Sequence, residues 1–399
     1  MPDRIEQLLR RDRRFGSRDR RLYRELLYTA VRHLPWIEPA LDRDPDRAVR
    51  AIAELAADTP STHDFRASLR GQAGVDAASC RVSTRSAAGR RVYFTLTPSI
   101  AEKAAALAGI LGDATKERLL PAWFEAECPE AFVSPNYDVL NTRAPLWLRL
   151  QTTDAGPVFA EFTARGWTWR VAGDLPAAIE LPGEVDVTRT EAYRLGLIEI
   201  QDAGSQRILE AIGLTPGESW LDACAGAGGK TLQLAGLLGL DGRVDASDVR
   251  PDALRELGRR AVRAGLADRI ARPAKLKAAY DGVLVDAPCS GSGTWRRSPH
   301  LKWVTAPARV RASALQQQAL LAQFAASVRP GGRLVYATCS LCRSENESIV
   351  ANFLSAFPSF APAPFANPAG GEPRGAGLIF WPATHNGDGY FVASLRKER

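Results

Sequence analysis

Two short stretches of this 399-residue sequence place a thiol where chemistry could use it. DAPCSGSG, Asp286 to Gly293, follows the apolar run YDGVLV, and ATCSLCRSENES, Ala337 to Ser348, follows GRLVY. Both runs read as strands, so Cys289 and Cys339 fall just past two strand ends. A single cysteine in such a place is commonly just a buried small residue. Two thiols, a proline and an acid at one sheet edge point instead to nucleophilic chemistry.

A third stretch, LDACAGAGGKT from Leu221 to Thr231, is a glycine-rich turn after another apolar run. It ends in Gly-Lys-Thr, as an NTP-binding loop does, but that pattern needs glycine at the position of Cys224. The dinucleotide pattern begins well at Gly226 and Gly228 and then fails at Thr231. What remains is a strand, Asp222, a tight turn, a helix, and Asp248 at the end of the next strand. Backbone N–H groups at such a turn suit a carboxylate, and the second acid suits a ribose. That geometry fits S-adenosylmethionine as well as a nucleotide, and a turn used only for packing would look the same.

The elements that must hold these stretches can be read from periodicity. Residues 206–399 alternate strand and helix: SWLDACA, a helix from Lys230 to Leu238, RVDASD, a helix from Pro251 to Gly265, YDGVLVDAP, a helix from Ala306 to Val328, and GRLVYATC after the turn RPGG. Buried strands alternating with helices predict an α/β, doubly wound, Rossmann-like sheet. A Pro/Gly-rich surface loop over Pro358–Gly377 precedes a final strand pair near Leu378–Trp381 and Tyr390–Leu395. Residues 129–205 read as a small α+β module, with strands at LWLRLQTT and AAIELPGEVDVTRT around a helix at DAGPVFAEFTARGW. Residues 1–128 read as mainly helical, from Arg18 to Leu34 and again from Ile100, with a strand at Arg91–Pro98.

Composition narrows the class. Hydrophobic residues make up 45% and charged residues 24%, ordinary for a soluble globular protein. No run of about 18 apolar residues occurs, and the first 21 residues carry acids and no apolar core. A cytoplasmic protein away from the membrane is therefore expected. The six cysteines form no paired CxxC zinc pattern, so free thiols and no metal are expected. The net charge of +7 is compatible with a nucleic-acid partner.

DACAGAGGKT, DAPCSGSGTWRRSPHLKW and ATCSLCRSENE, taken in this order, resemble the RNA (cytosine-5)-methyltransferases of the Sun/Nop family. IQDAGSQ at Ile200 to Gln206 and GDGYFVASLRK at Gly387 to Lys397 add to the resemblance, which covers about residues 129–399. It implies methylation of cytosine C5 in RNA, 16S rRNA first, with S-adenosylmethionine as donor. Cytosine C5 is a poor nucleophile, and a thiolate adding at C6 makes C5 an enamine-like carbon able to attack a methyl group. By the resemblance Cys339 is that nucleophile, with a depressed thiol pKa. Cys289 then assists breakdown of the adduct, and Asp286 contacts the N3/N4 edge of the base. Lys230 lies on the pocket side and touches the target nucleotide, or is an ordinary solvated lysine. The cofactor is assigned to Asp222, Cys224, Ala225, Gly226, Ala227, Gly228, Gly229, Lys230, Asp248, Arg250 and Asp286. Arg296, Arg297, Lys302 and Trp303, in WRRSPHLKW, suit RNA phosphates and stacking at the mouth of the site.

The sequence departs from the family's pattern in one place. Between Asp248 and Asp286 stands ADRIARPAKLKAAYDG, with a strand at best over Arg269–Pro273 and no acid after it before Asp281. Adenine must then be held by apolar contacts and backbone. SRDRRLYRELLYTAVRHLPWIEPAL, Ser17 to Leu41, resembles the NusB-like domain at the front of bacterial 16S rRNA cytosine-5 methyltransferases and would add RNA contacts. A monomer is expected. The alternatives are the same chemistry on tRNA, or an RNA-binding ribosome-assembly factor with weak or no turnover.

Overall fold

The computed structural model describes residue 7 and residues 16–56, 60–73, 98–181, 185–277, 279–366 and 370–398. The strand expected at Arg91–Pro98 lies outside them, save Pro98, as does Cys80. The chain divides into two compact units. One holds Met1–Ala122, Phe132–Arg143 and Ser298–Val304, and the other Trp123–Ala131, Ala144–Arg297 and Thr305–Arg399. The sequence divided instead at 128 and 205.

The first unit is helical: α1 (Ser17–Arg32), α2 (Leu34–Leu41), α3 (Pro45–Leu55), α4 (Pro60–Ala73) and α5 (Ile100–Leu111). Side chains begin two of these helices. Asp44 accepts the Arg47 N–H at 3.0 Å ahead of α3, and Ser99 and Glu102 form a reciprocal capping box on α5. Trp36, Ile37, Ile52, Leu55, Ile100, Leu107 and Leu119 make its core. The Trp36 indole N–H donates to the Glu117 carbonyl at 2.8 Å, so the largest core side chain is also satisfied.

In the second unit a four-stranded antiparallel sheet runs β2 (Arg170–Ala172), β3 (Leu175–Leu181), β1 (Leu146–Leu150), β4 (Ile198–Ile200). Helix α6 (Gly156–Ala164) covers it with Val158 and Phe162. Two of these strands, β2 and β4, are only three residues long and carry no alternation of their own. The α+β module is not a separate body. Trp147, Leu175 and Ala178 pack on Ala203 of α7 (Ala203–Ile212), and Glu199 of β4 pairs with Arg260 and Arg263 on a helix of the C-terminal half.

That half is the expected doubly wound sheet. Its order is β11 (Glu372–Arg374), β12 (Gly377–Phe380), β13 (Tyr390–Lys397), β9 (Val328–Thr338), β8 (Tyr280–Asp286), β5 (Ser219–Asp222), β6 (Arg243–Ala246), β7 (Ile270–Ala271), with β10 (Phe360–Pro362) on β13. Strands β9, β8, β5, β6 and β7 are parallel, while β13 runs antiparallel beside β9. The helices α8 (Gly229–Leu237), α9 (Pro251–Arg263), α10 (Pro307–Ala325) and α11 (Glu347–Ala356) join them. RPGG is looped out of β9: Tyr280 pairs with Val328 and Gly282 already with Arg333. The two faces bury separate cores, one with Trp220, Leu234, Val244 and Leu284, the other with Val283, Leu321, Tyr336 and Phe391. Among the described residues no helix is long and apolar enough to cross a membrane.

Candidate active site

Parallel strands bring their last residues to one edge, so Asp222 of β5, Asp286 of β8 and Thr338 of β9 emerge together. An antiparallel neighbour brings its first residue there, and β13 contributes Tyr390. The order of the sheet reverses between β5 and β8, the place where ligands bind in such folds.

The glycine turn leaves β5 and starts α8. Gly228 has φ 92°, a conformation that favours glycine, and a Cβ on it would stand 2.8 Å from Leu257 Cγ. A Cβ on Gly229 would meet nothing, so space is open above the turn. Asp222 is buried. Its Oδ2 accepts Thr231 Oγ–H at 2.7 Å, and its Oδ1 has no partner. Burial first, and the Asp286 carboxylate after it, push Asp222 up to about 7. Asp248 accepts the Gly226 N–H at 2.8 Å and the Arg250 N–H at 2.9 Å, and its side chain pairs with the Arg250 guanidinium. Burial works upward on Asp248, but these bonds outweigh it and hold the carboxyl below its usual range. Val249, 96% exposed, stands beside it as apolar surface.

This donor set fits S-adenosylmethionine. An unpartnered buried carboxylate oxygen suits an ammonium, Asp248 suits ribose hydroxyls shared with Arg250, and Val249 suits an adenine face. Cys224, Ala225 and Ala227 lie in the same turn: the Ala225 N–H donates to the Ser247 carbonyl, and the Ala227 carbonyl accepts from Arg260. Burial, then Asp222, push the Cys224 thiol up to about 12. After β7 the chain reads RPAKLK, with the Arg272 guanidinium donating to the Leu254 carbonyl at 3.1 Å, so no acid stands there.

On the other side of Asp222 the two cysteines meet. Cys289 Sγ and Cys339 Sγ are 3.4 Å apart. The Cys339 thiol, and burial after it, push Cys289 well above the ordinary thiol range. Lys230 Nζ donates to Asp286 Oδ2 at 2.7 Å and sits 5.0 Å from the Tyr390 ring centre. Lys230 is thus a buried, paired lysine and not a solvated one. The three loops are pinned at close range. The Gly293 N–H donates to the Cys339 carbonyl at 3.0 Å, and the Gly389 N–H to the Gly293 carbonyl at 2.9 Å. A Cβ on Gly293 would stand 2.1 Å from the Gly389 oxygen.

WRRSPHLKW departs from its expected place at the RNA surface. Arg296 is buried and donates to the Gly387 carbonyl at 3.0 Å and Asn386 Oδ1 at 2.9 Å; burial brings its pKa down to about 10. Lys302 and Trp303 belong to the helical unit, on the short helix Pro299–Val304. There Lys302 Nζ donates to the Arg32 carbonyl and to Asn141 Oδ1, both at 2.9 Å, and the Trp303 indole N–H to the Val31 carbonyl at 2.6 Å. These carbonyls end α1, where a helix leaves acceptors unsatisfied and favours a positive charge. Basic and aromatic types were read as an RNA face, and burial turned them to internal use. Arg297 differs: it pairs with Asp388, with Asp202 at 3.4 Å, and keeps half its side chain exposed.

Sequence reasoning singled out neither Tyr390 nor the Asp202–Asp388 pair, although both lay inside stretches already quoted, GDGYFVASLRK and IQDAGSQ. Among the described residues no group of three or more His, Cys, Asp and Glu could hold a metal ion.

Comparison with known proteins gives the family. The family model described as 16S rRNA methyltransferase RsmB/F matches residues 210–396. The chain is 30% identical over 298 residues to the ribosomal RNA small subunit methyltransferase B of Salmonella arizonae, a match covering 70% of this chain and 67% of that protein. It is 33% identical over 269 residues to the protein of that name from Xanthomonas campestris, covering 64% of this chain and 60% of the other. The chain spans only about half the length of other curated relatives, 54% of one from Synechocystis and 50% of one from Mycobacterium tuberculosis. A methyltransferase homologue from Pyrococcus horikoshii has a similar structure, with TM-score 0.56 and 26% identity over 65% of this chain and 88% of that one. The structure titled PH0851 shares the fold at TM-score 0.72, with 22% identity over 98% of this chain and 93% of its own. The chain belongs to the RsmB/F family of 16S rRNA methyltransferases.

Proposed function

We propose that this chain methylates cytosine C5 in RNA, with 16S rRNA as the substrate, through a covalent bond between Cys339 and C6 of the base. The observation that carries this is the 3.4 Å pairing of Cys289 with Cys339 at the edge that also holds the glycine turn. The family's S-adenosylmethionine supplies an electrophilic methyl group. Asp222 and the turn hold its amino-acid end, and Asp248 its ribose. The target cytosine must leave any helix to reach the thiols.

The Cys339 thiolate adds to C6, and electron density moves to C5, which takes the methyl group. Asp286, held by the Lys230 ammonium at 2.7 Å, accepts from the exocyclic amino group of the base. The C5 proton must then leave so that the C5–C6 double bond re-forms and the Cys339–C6 bond breaks. Cys289 is suited to that step. Its thiol is held protonated first of all by the neighbouring Cys339 sulfur. Once Cys339 is a neutral thioether that cause is gone, and Cys289, after yielding its proton to solvent, can take the C5 proton as a thiolate.

Purified protein, labelled S-adenosylmethionine and small-subunit RNA should yield 5-methylcytosine, with none from Cys339→Ala. Retained methylation in that variant would sink the assignment. Cys289→Ala should stall as a protein–RNA adduct visible on a denaturing gel. Bisulfite mapping of rRNA and tRNA in cells lacking the protein separates the 16S target from a tRNA target. Absence of cofactor binding by calorimetry would favour an assembly factor, a reading supported by the missing acid after β7.

A further inference from the structure

We propose that Glu345 is a positioning residue: its carboxylate sets the distance between Cys289 and Cys339. The proposal rests on the two cysteines being a working pair. Glu345 is fully buried. Its Oε1 accepts the Ser290 N–H at 2.7 Å, and its Oε2 accepts the hydroxyls of Ser290 and Ser340, each at 2.5 Å. Ser290 directly follows Cys289, and Ser340 directly follows Cys339. One carboxylate therefore grips the residue after each thiol, on loops that leave two different strands.

Glu345 is itself fixed. Its carbonyl accepts the Tyr336 hydroxyl at 2.5 Å, and its N–H donates to the Cys342 carbonyl at 3.1 Å. Its neighbour Asn346 donates to the Ser340 carbonyl at 2.9 Å and accepts Thr338 Oγ–H at 2.6 Å. Gln317 of α10 closes the ring, donating to the Pro288 carbonyl at 2.9 Å, just before Cys289. A buried carboxylate is tolerated only with several good donors, and donors to a charged oxygen make short, stiff bonds. Filling this space needs no charge. What the two carboxyl oxygens add is a rigid tie between two loops, each carrying a thiol.

Glu345→Gln keeps the size and an oxygen for the Ser290 N–H, but an NH2 group replaces the oxygen that accepts the Ser290 and Ser340 hydroxyls, so that arm loses its acceptor and both hydroxyls must turn. The direct readout is oxidation by a mild copper–phenanthroline oxidant. Two thiols lose two electrons and two protons to it and form the Cys289–Cys339 disulfide, followed by peptide mass spectrometry. Glu345→Gln should form this bond at least ~10-fold more slowly, and its kcat should fall ~100-fold with the KM for the methyl donor unchanged, as expected for a displacement near 1 Å. Ser340→Ala, which removes one arm and leaves the core filled, should slow both partway and serves if the glutamine variant fails to fold. Unchanged cross-linking in either folded variant overturns the proposal. Cross-linking needs neither RNA nor methyl donor, so it can succeed while the methyltransferase reading fails, and the reverse.

Discussion

Asp222 shows how one residue can oppose stability and serve binding. Its folded pKa near 7 lies above the ordinary carboxylate value of ~4. Below ~4 both folded and unfolded states hold the proton, so this residue's stabilisation is fully present; it is lost as pH rises to about 7 and the unfolded chain ionises first. Asp222→Asn keeps an acceptor for Thr231 without the charge. Its melting temperature should exceed the parent's by several degrees at pH 8 and match it at pH 4. Its affinity for S-adenosylmethionine should fall ~10-fold by calorimetry, because the unpartnered oxygen no longer carries a charge. Equal pH profiles for parent and variant would mean that Asp222 is not the titrating group. The residue's type and place were legible in LDACAGAGGKT; its raised pKa was not, since that comes first from the strands that bury it and then from Asp286, 64 positions on.

At the scale of elements, helix periodicity and apolar strand runs are local, so α8, α9, α10, β5, β8 and β9 could be read from their own residues. The strands β2 and β4 could not, because three residues carry no period. WRRSPHLKW failed for a related reason. Residue types are local, but the Arg32 carbonyl that Lys302 meets lies 270 positions away. Lys302→Ala should therefore lower the stability of the helical unit by ~1–3 kcal/mol, leaving the Arg32 carbonyl and Asn141 without their donor. Denaturant unfolding would measure this. Gly293→Ala is the corresponding test of the catalytic edge. Its methyl group must push the Gly389 oxygen away, which separates the Cys289 and Tyr390 segments, and kcat should drop at least ~100-fold.

For the whole molecule, the charge of +7 predicts RNA affinity that falls with salt. Arg297, held by acids on one side and open on the other, should supply one phosphate contact. Arg297→Ala should lower the slope of log affinity against log salt by ~0.7, while Lys302→Ala leaves it unchanged. A filter-binding titration at several salt concentrations separates the two. The catalytic motifs were legible because each is a contiguous run at a strand end. Glu345 was not, because a polar run such as SENE looks solvated until Ser290, 55 positions away, closes on it together with nearby Ser340.

The first unit is made of three pieces of chain, and the last piece, Ser298–Val304, is encoded far behind the others. During vectorial synthesis the helices up to Arg143 emerge first, and the end of α1 must wait with bare carbonyls until Lys302 and Trp303 leave the ribosome. By then β5, β6 and β8 have already been made. A nascent chain cut before residue 298 therefore holds an unfinished helical unit, and truncation at the apparent domain border would free an incomplete body.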